Sequence, residues 1–408
     1  MSLSNQFAPT SPVASQPSAG SAVLDPPIQA GQSQAPPAAA GNASRPKKEI
    51  LPALTGLRCF AALNIVFFHF SNPKWFGPFA PIVDNGYTSV SFFLLMSGYI
   101  LAYNYADRAA AGQLRPRRFW LARFSRLYPV YVFALILSLG MLAAEWQARS
   151  HAQFALGVIL TPLLLQAWHP LLATFWNTPA WTMCTEAFFY LIFPVVVLWK
   201  RPKRMGALLG VMAGLWVLGM ILPSLYMWLH PDGDLHPGRY TDGFWIRALK
   251  FTPPPHVPSF LFGIALADLD AMIPRTSLRR LLYGILGMSG LYAVLYFGDH
   301  MPYPLMHDGL LMPLFALAIL GLAGQNLIAR FFGWLPFRTV GKASYCLYIL
   351  HFNLWNLIHD SHILDRLHLA SYDPWLSYLL LIAGAMVVMF TVERPSQRWI
   401  RSWGASRV

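Results

Sequence analysis

Charge of either sign is scarce in this sequence. Asp, Glu, Lys and Arg together make up 12% of 408 residues, whereas 56% are hydrophobic and 15% aromatic, which lies outside the range of soluble globular domains. With a mean hydropathy of +0.44, the composition predicts a polytopic membrane protein. Acidic residues are the scarcer kind, 17 against 30 Lys and Arg, for a formal net charge of +13. A surplus of that size could serve nucleic acid. Here the basic residues sit in short clusters between long apolar runs, as in loops retained in the cytoplasm, so no nucleic-acid partner is expected. Cysteine is rarer still. Cys59, Cys184 and Cys346 each fall inside an apolar run with no paired or ligand-type spacing, which excludes a disulfide framework and indicates no metal site. They read as small buried residues.

Residues 1–49 lack aromatics and branched aliphatics almost entirely, being mostly Ala, Pro, Ser, Gln and Gly. A segment so composed cannot bury enough surface to fold and is expected to be a disordered tail. It has no apolar core with a basic start and a small-residue cleavage site, so no cleaved signal peptide is expected. Arg45, Lys47 and Lys48 stand just before the first apolar run, which predicts a cytoplasmic N-terminus. A transmembrane domain is expected over 50–396 and a short basic cytoplasmic tail over 397–408.

A span needs about 20 apolar residues. Candidates fall at 53–71, 86–106, 127–145, 181–199, 206–228, 281–298, 306–328, 343–362 and 376–392, with shorter runs at 154–168 and 257–271. Basic loops arbitrate between the two short runs. These loops lie at 108–126, 200–204, 275–280 and 330–342 and after Arg394, and all should face the cytoplasm. That holds if 257–271 crosses and 154–168 is re-entrant or interfacial. The expected fold is thus an all-α polytopic membrane helix bundle of about ten spans with both termini cytoplasmic. The polar, Pro- and Gly-rich segment 229–256 then lies outside.

Several spans carry residues that lipid does not tolerate cheaply. The first, LTGLRCFAALNIVFFHF at 54–70, holds Arg58 and His69. Eleven residues correspond to about 1100° of rotation and about 16 Å of rise, so the two share a face, with Arg58 near the cytoplasmic end. Ionisable side chains in a span usually face a protein-lined or watery cavity. Snorkelling of Arg58 to head groups and interhelical hydrogen bonding by His69 are the plainer alternatives. In the second span, Ser97 and Gly98 form a small polar break suited to close packing. Arg123 and Arg126, three residues apart where the third helix is expected to begin, could grip a phosphate together, although any single arginine there could equally be ordinary inside-positive charge. Trp181 starts the next span and Glu186 follows within two turns. Ser344, Tyr348 and His351, at spacings of four and three, lie on roughly one stripe. Glu393 and Arg394 read as a helix end with a local ion pair.

Arg58 and His69 with ten residues between them, FFLLMSGY, RFSRLYP, the W-T-M-x-x-E-x-x-x-Y run, the G-x-x-S-Y-x-x-Y-x-x-H segment and a terminal V-E-R-P occur in this order between about Leu51 and Pro395. Together they resemble acyltransferase family 3, integral membrane enzymes of the kind that O-acetylate bacterial polysaccharides. Members often carry a C-terminal esterase-like domain, and the stand-alone form is expected here. The resemblance implies transfer of an acyl group, usually acetyl from cytoplasmic acetyl-CoA or another acyl-CoA, to a hydroxyl of a carbohydrate such as an exopolysaccharide, O-antigen or lipid-linked sugar. It places the chain in the bacterial inner membrane among lipids. His69 matches the family's catalytic histidine, able to deprotonate the acceptor or to take the acyl group itself. Arg58, Arg123 and Arg126 match the arginines at the CoA end. Glu186 and His351 are candidates for supporting the chemistry, and Ser97, Gly98, Trp181 and Tyr348 for lining the substrate path. Acylation of a lipophilic metabolite, transport by a secondary carrier or flippase, and a non-catalytic membrane scaffold are the competing readings. The sequence lacks the two similar halves that a carrier built from inverted repeats would have.

Overall fold

The computed structural model describes residues 49–405. The segment read as a disordered tail therefore lies outside the described residues, apart from Glu49. Among the described residues there are helices and turns but no strand. Seven helices are long and apolar enough to cross a membrane, eight if the bent pair Pro73–Asp84 and Thr88–Ala110, inclined by 50°, counts as one span. The helices Val257–Ala271 and Ser344–Asp360, of 15 and 17 residues, fall at the other two expected spans. Each of the ten expected spans is thus represented by a helix. The run at 154–168 falls in the ten-residue helix His151–Leu160, opened by a reciprocal Ser150–Gln153 cap, and a single 3-10 turn at Gln166–Trp168. At 1.5 Å per residue the helix covers about half the hydrocarbon thickness.

One boundary differs clearly from expectation. The third span runs from Pro116 to Leu137, not from 127 to 145. Pro116 occupies the first turn, where its missing N–H costs nothing, and the helix continues through Pro129 to end at Ser138. Arg123 and Arg126 therefore lie about two turns inside the helix, not at its start. Phe119 anchors this early part by stacking on Phe193 at 5.1 Å. At the other end of the chain, residues 397–405, read as part of a tail, belong to the helix Arg394–Ala405, which packs against Pro116–Leu137.

Small residues let the helices approach closely. A Cβ on Gly98 would stand 2.1 Å from the Phe260 carbonyl oxygen, and one on Gly263 would stand 2.0 Å from that of Leu95. The crossing of Thr88–Ala110 with Val257–Ala271 is thus backbone against backbone. Gly56 and Gly341 do the same for the first helix, Pro52–Phe70, against Phe332 and Leu335–Lys342. These contacts fix the Arg58–His69 face relative to its neighbours.

Several residues of the basic loops have carboxylate partners. Arg201 pairs with Asp268. Two residues on, Asp270 binds Arg275 at 2.8 Å and the fully buried Arg280 at 2.7 Å, and it accepts from Tyr99 at 2.9 Å. Arg280 was read only as loop charge, yet a carboxylate on the neighbouring helix keeps it inside. In segment 229–256, Arg239 pairs with Asp84 at 2.6 Å.

Candidate active site

Two cavities lie along the inner face of the first helix. The one nearer its start is narrow, with a volume of about 100 Å³, and is lined by Arg58, Arg123, Arg126, Ser97, Thr182, Glu186, Tyr190, Ser344 and Tyr348. Three guanidiniums here face one lining carboxylate. Arg123 donates to the Tyr105 hydroxyl at 2.9 Å and lies over the rings of Tyr105 and Phe119 at 5.3 and 5.8 Å, which hold it in place. Glu186 accepts from Tyr190 at 2.5 Å and from Ser97 at 3.5 Å. Among the described residues the side chains of Arg58 and Arg126 make neither a hydrogen bond nor an ion pair. Two unpaired guanidiniums lining a cleft are suited to an anionic group such as a phosphate.

The second cavity is wider, about 450 Å³, and holds His69, His351, Trp181, Phe352, His307, Arg239 and Lys250. His69 is exposed to it. Its ring stacks on that of His351 at 5.3 Å and 28° and meets Phe352 at 4.7 Å. His351 is itself fully buried, with Nδ1 2.5 Å from the Tyr348 carbonyl oxygen. A carbonyl only accepts, so the proton sits on Nδ1 and Nε2 carries a lone pair. Among the described residues that Nε2 has no hydrogen-bond partner. On the far wall, Lys250 donates to the carbonyls of Arg239 and Thr241 at 3.1 Å each, and burial pushes its amine down to about 8.

Val90 and Tyr348 line both cavities, so an arginine-lined cleft and a histidine-lined chamber meet across two side chains. The candidate residues divide between them. Arg58, Arg123, Arg126, Ser97 and Glu186 lie in the cleft, His69, His351 and Trp181 lie in the chamber, and Tyr348 lies between. Glu186 is accordingly not beside His69, because it points into the cleft from the first turns of Trp181–Val196. Gly98 lines neither cavity and belongs to the helix crossing. Sequence reasoning missed His256, His307 and Asp308 altogether. Their only sequence signal was a His-Asp pair inside the apolar run at 306–328 and a histidine closing PPPH at 253–256.

A family model described as acyltransferase domain matches residues 51–394, which includes both cavities and every candidate residue. The chain belongs to acyltransferase family 3. Among curated proteins it is 28% identical over 248 residues to the acyltransferase MdmB of Streptomyces mycarofaciens, covering 58% of this chain and 60% of that protein. It is 24% identical over 348 residues to the peptidoglycan O-acetyltransferase OatA of Listeria monocytogenes, covering 77% and 51%. A Staphylococcus aureus protein named as an O-acetyltransferase is 22% identical over 367 residues, covering 83% and 56%. The chain thus spans between half and three-fifths of the length of these relatives. No solved structure matches it.

Proposed function

We propose that this chain is an integral membrane O-acyltransferase that moves an acetyl group from acetyl-CoA, entering at the arginine end, to a hydroxyl of a carbohydrate acceptor entering from the side of segment 229–256. The observation that carries this reading is the wall of Val90 and Tyr348 shared by the arginine cleft and the histidine chamber. It is supported by family membership and by relatives named as acyl- and O-acetyltransferases.

In this reading the phosphates of the donor meet Arg58 and Arg126, and the thin pantetheine arm runs past Ser97 and Thr182. The thioester then stands at the Tyr348 boundary, within the chamber that holds His69. His69 takes the proton from the acceptor hydroxyl as its oxygen bonds to the acyl carbon. The C–S bond breaks, its electron pair leaves with sulfur, and the imidazolium returns the proton to the thiolate. His351, held in one tautomer by the Tyr348 carbonyl, keeps the stacked ring of His69 in place. Glu186 acts at a distance from this chemistry, by ordering Ser97 and Tyr190 and offsetting part of the positive charge of the cleft. The cell membrane is the expected location, with the arginine end facing the cytoplasm where acetyl-CoA is found.

The test is turnover of labelled acetyl-CoA by the purified chain in lipid vesicles with a panel of glycosides. The reading expects label on an acceptor hydroxyl and none with His69→Ala. Absence of both hydrolysis and transfer, with a well-inserted protein, would refute it.

A further inference from the structure

Behind one wall of the histidine chamber, reached through His307, lies a second set of ionisable groups that the transfer step does not use. Asp308, 2% exposed, lies between two imidazoles, with Oδ1 2.8 Å from Nδ1 of His256 and Oδ2 3.2 Å from Nδ1 of His307. The other nitrogen of His256, Nε2, is 3.1 Å from the carbonyl oxygen of Lys250. A carboxylate and a carbonyl only accept hydrogen bonds. Both nitrogens of His256 thus face acceptors, one the carboxylate and one the carbonyl. With Nδ1 directed to Asp308, the neutral tautomer of His307 that fits this contact has its lone pair on Nε2. That Nε2 has no partner among the described residues, and His307 forms part of the chamber wall.

A lone pair fixed in this way can only accept. Whatever satisfies it must donate a hydrogen bond from the chamber side. The surroundings indicate the rest of the ligand. Trp181 lies 6.4 Å from the His307 ring and Tyr87 stacks on it at 6.0 Å and 11°, and both also line the chamber. Aromatic faces beside a fixed acceptor suit a molecule that has an apolar C–H face and hydroxyls at its edge. His69 lines the same chamber, so both imidazoles border the space a ligand would occupy.

We propose that His307, locked by Asp308 and His256, is a specificity-determining residue whose Nε2 receives a hydrogen bond from a second hydroxyl of the acceptor. The site then takes polyhydroxylated acceptors and discriminates against alcohols with a single hydroxyl. This rests on the acyl-transfer reading above. The physical basis is that a site built to pair with a substrate hydroxyl rejects an analogue lacking it, since the protein group is left buried and unpaired.

The test uses the full chain in lipid vesicles with acetyl-CoA as donor. The acceptors are methyl glycosides of glucose, galactose, mannose and N-acetylglucosamine, set against 1-butanol and 2-phenylethanol. The wild type should transfer to at least one glycoside and far more slowly to either simple alcohol. His307→Ala should raise KM for that glycoside about tenfold or more, a loss in the range of one hydrogen bond, while kcat changes by less than about threefold. Transfer to the simple alcohols should not fall. His307→Gln, whose amide oxygen can still accept, should recover most of the loss, which a merely structural role would not allow. If His307→Ala fails to insert, Asp308→Asn retains the ring but loosens its tautomer and should raise the same KM by a smaller factor. Equal use of glycosides and simple alcohols by the wild type would overturn the proposal. So would an unmoved KM in the inserted variants, no rescue by glutamine, or donor turnover without transfer to any glycoside. Absence of all donor turnover in the wild type would instead overturn the acyl-transfer reading itself.

Discussion

The imidazole of His69 stacks on that of His351, with centroids 5.3 Å apart and planes inclined by 28°. His69 is exposed to the chamber whereas His351 is sealed behind it, its Nδ1–H directed to the Tyr348 carbonyl. This asymmetry assigns different tasks to two residues of one type. Replacing His351 by Phe keeps a ring against His69 but removes the Nε2 lone pair and the tie to the carbonyl. We expect a kcat about 10- to 100-fold lower, less than the full contribution of a general base, with KM for acetyl-CoA unchanged in steady-state kinetics.

Among the described residues Arg58 and Arg126 have no side-chain partner in the cleft, so their value lies in a charged hydrogen bond to the donor. Each such bond contributes about 1.5–3 kcal/mol. Arg58→Gln and Arg126→Gln should each raise KM for acetyl-CoA at least about tenfold while leaving kcat within a small factor. The dependence of KM on salt should weaken in both variants, as screening now acts on one fewer charge. Unchanged KM and salt dependence in both would remove the donor from this cleft.

Ser97 and Gly98 are adjacent, but they should respond to mutation in different ways. A Cβ at Gly98 would meet the Phe260 carbonyl oxygen at 2.1 Å, and overpacking of this kind costs about 1–3 kcal/mol. Gly98→Ala should therefore lower the thermal unfolding midpoint of the detergent-solubilised protein. Ser97→Ala should leave the midpoint in place, and any effect should fall on turnover through Glu186, which loses a hydrogen-bond donor.

Arg280 and Asp270 test the other end of the bundle. With Arg280 fully buried, removing its partner leaves an uncompensated charge, at a cost of about 3–5 kcal/mol. Asp270→Asn should reduce folded yield sharply in fluorescence-detected size-exclusion chromatography. The double change Asp270→Asn with Arg280→Met should recover part of it, because no charge is then left unpaired.

Much of the bundle was legible in the sequence because apolar length is a direct reading of membrane thickness. The expected spans each found a helix, and the Arg58–His69 face follows from helical period alone. The third span was misplaced for a physical reason. Arg123 and Arg126 resemble loop charge in sequence, but the aromatic rings of Tyr105 and Phe119 let a guanidinium sit inside the bundle. The separation of Glu186 from His69 depends on how neighbouring helices rotate about their axes, and no single helix encodes that. The His256–Asp308–His307 cluster joins residues from two helices, with only a His-Asp pair to indicate it. Arg280 was hidden in the same way, since inside-positive charge and a buried ion pair look alike until the partner helix is placed.

The central claim is that His69 carries the transfer while the arginine cleft holds the donor. The most direct measurement pairs the rate of acetyl transfer with the dissociation constant for acetyl-CoA in His69→Ala, on the same vesicle preparation. The account predicts transfer at least about 100-fold slower, as expected for loss of a general base, with donor affinity within about threefold of wild type. Transfer within twofold of wild type, or donor affinity lost together with it, would contradict the account.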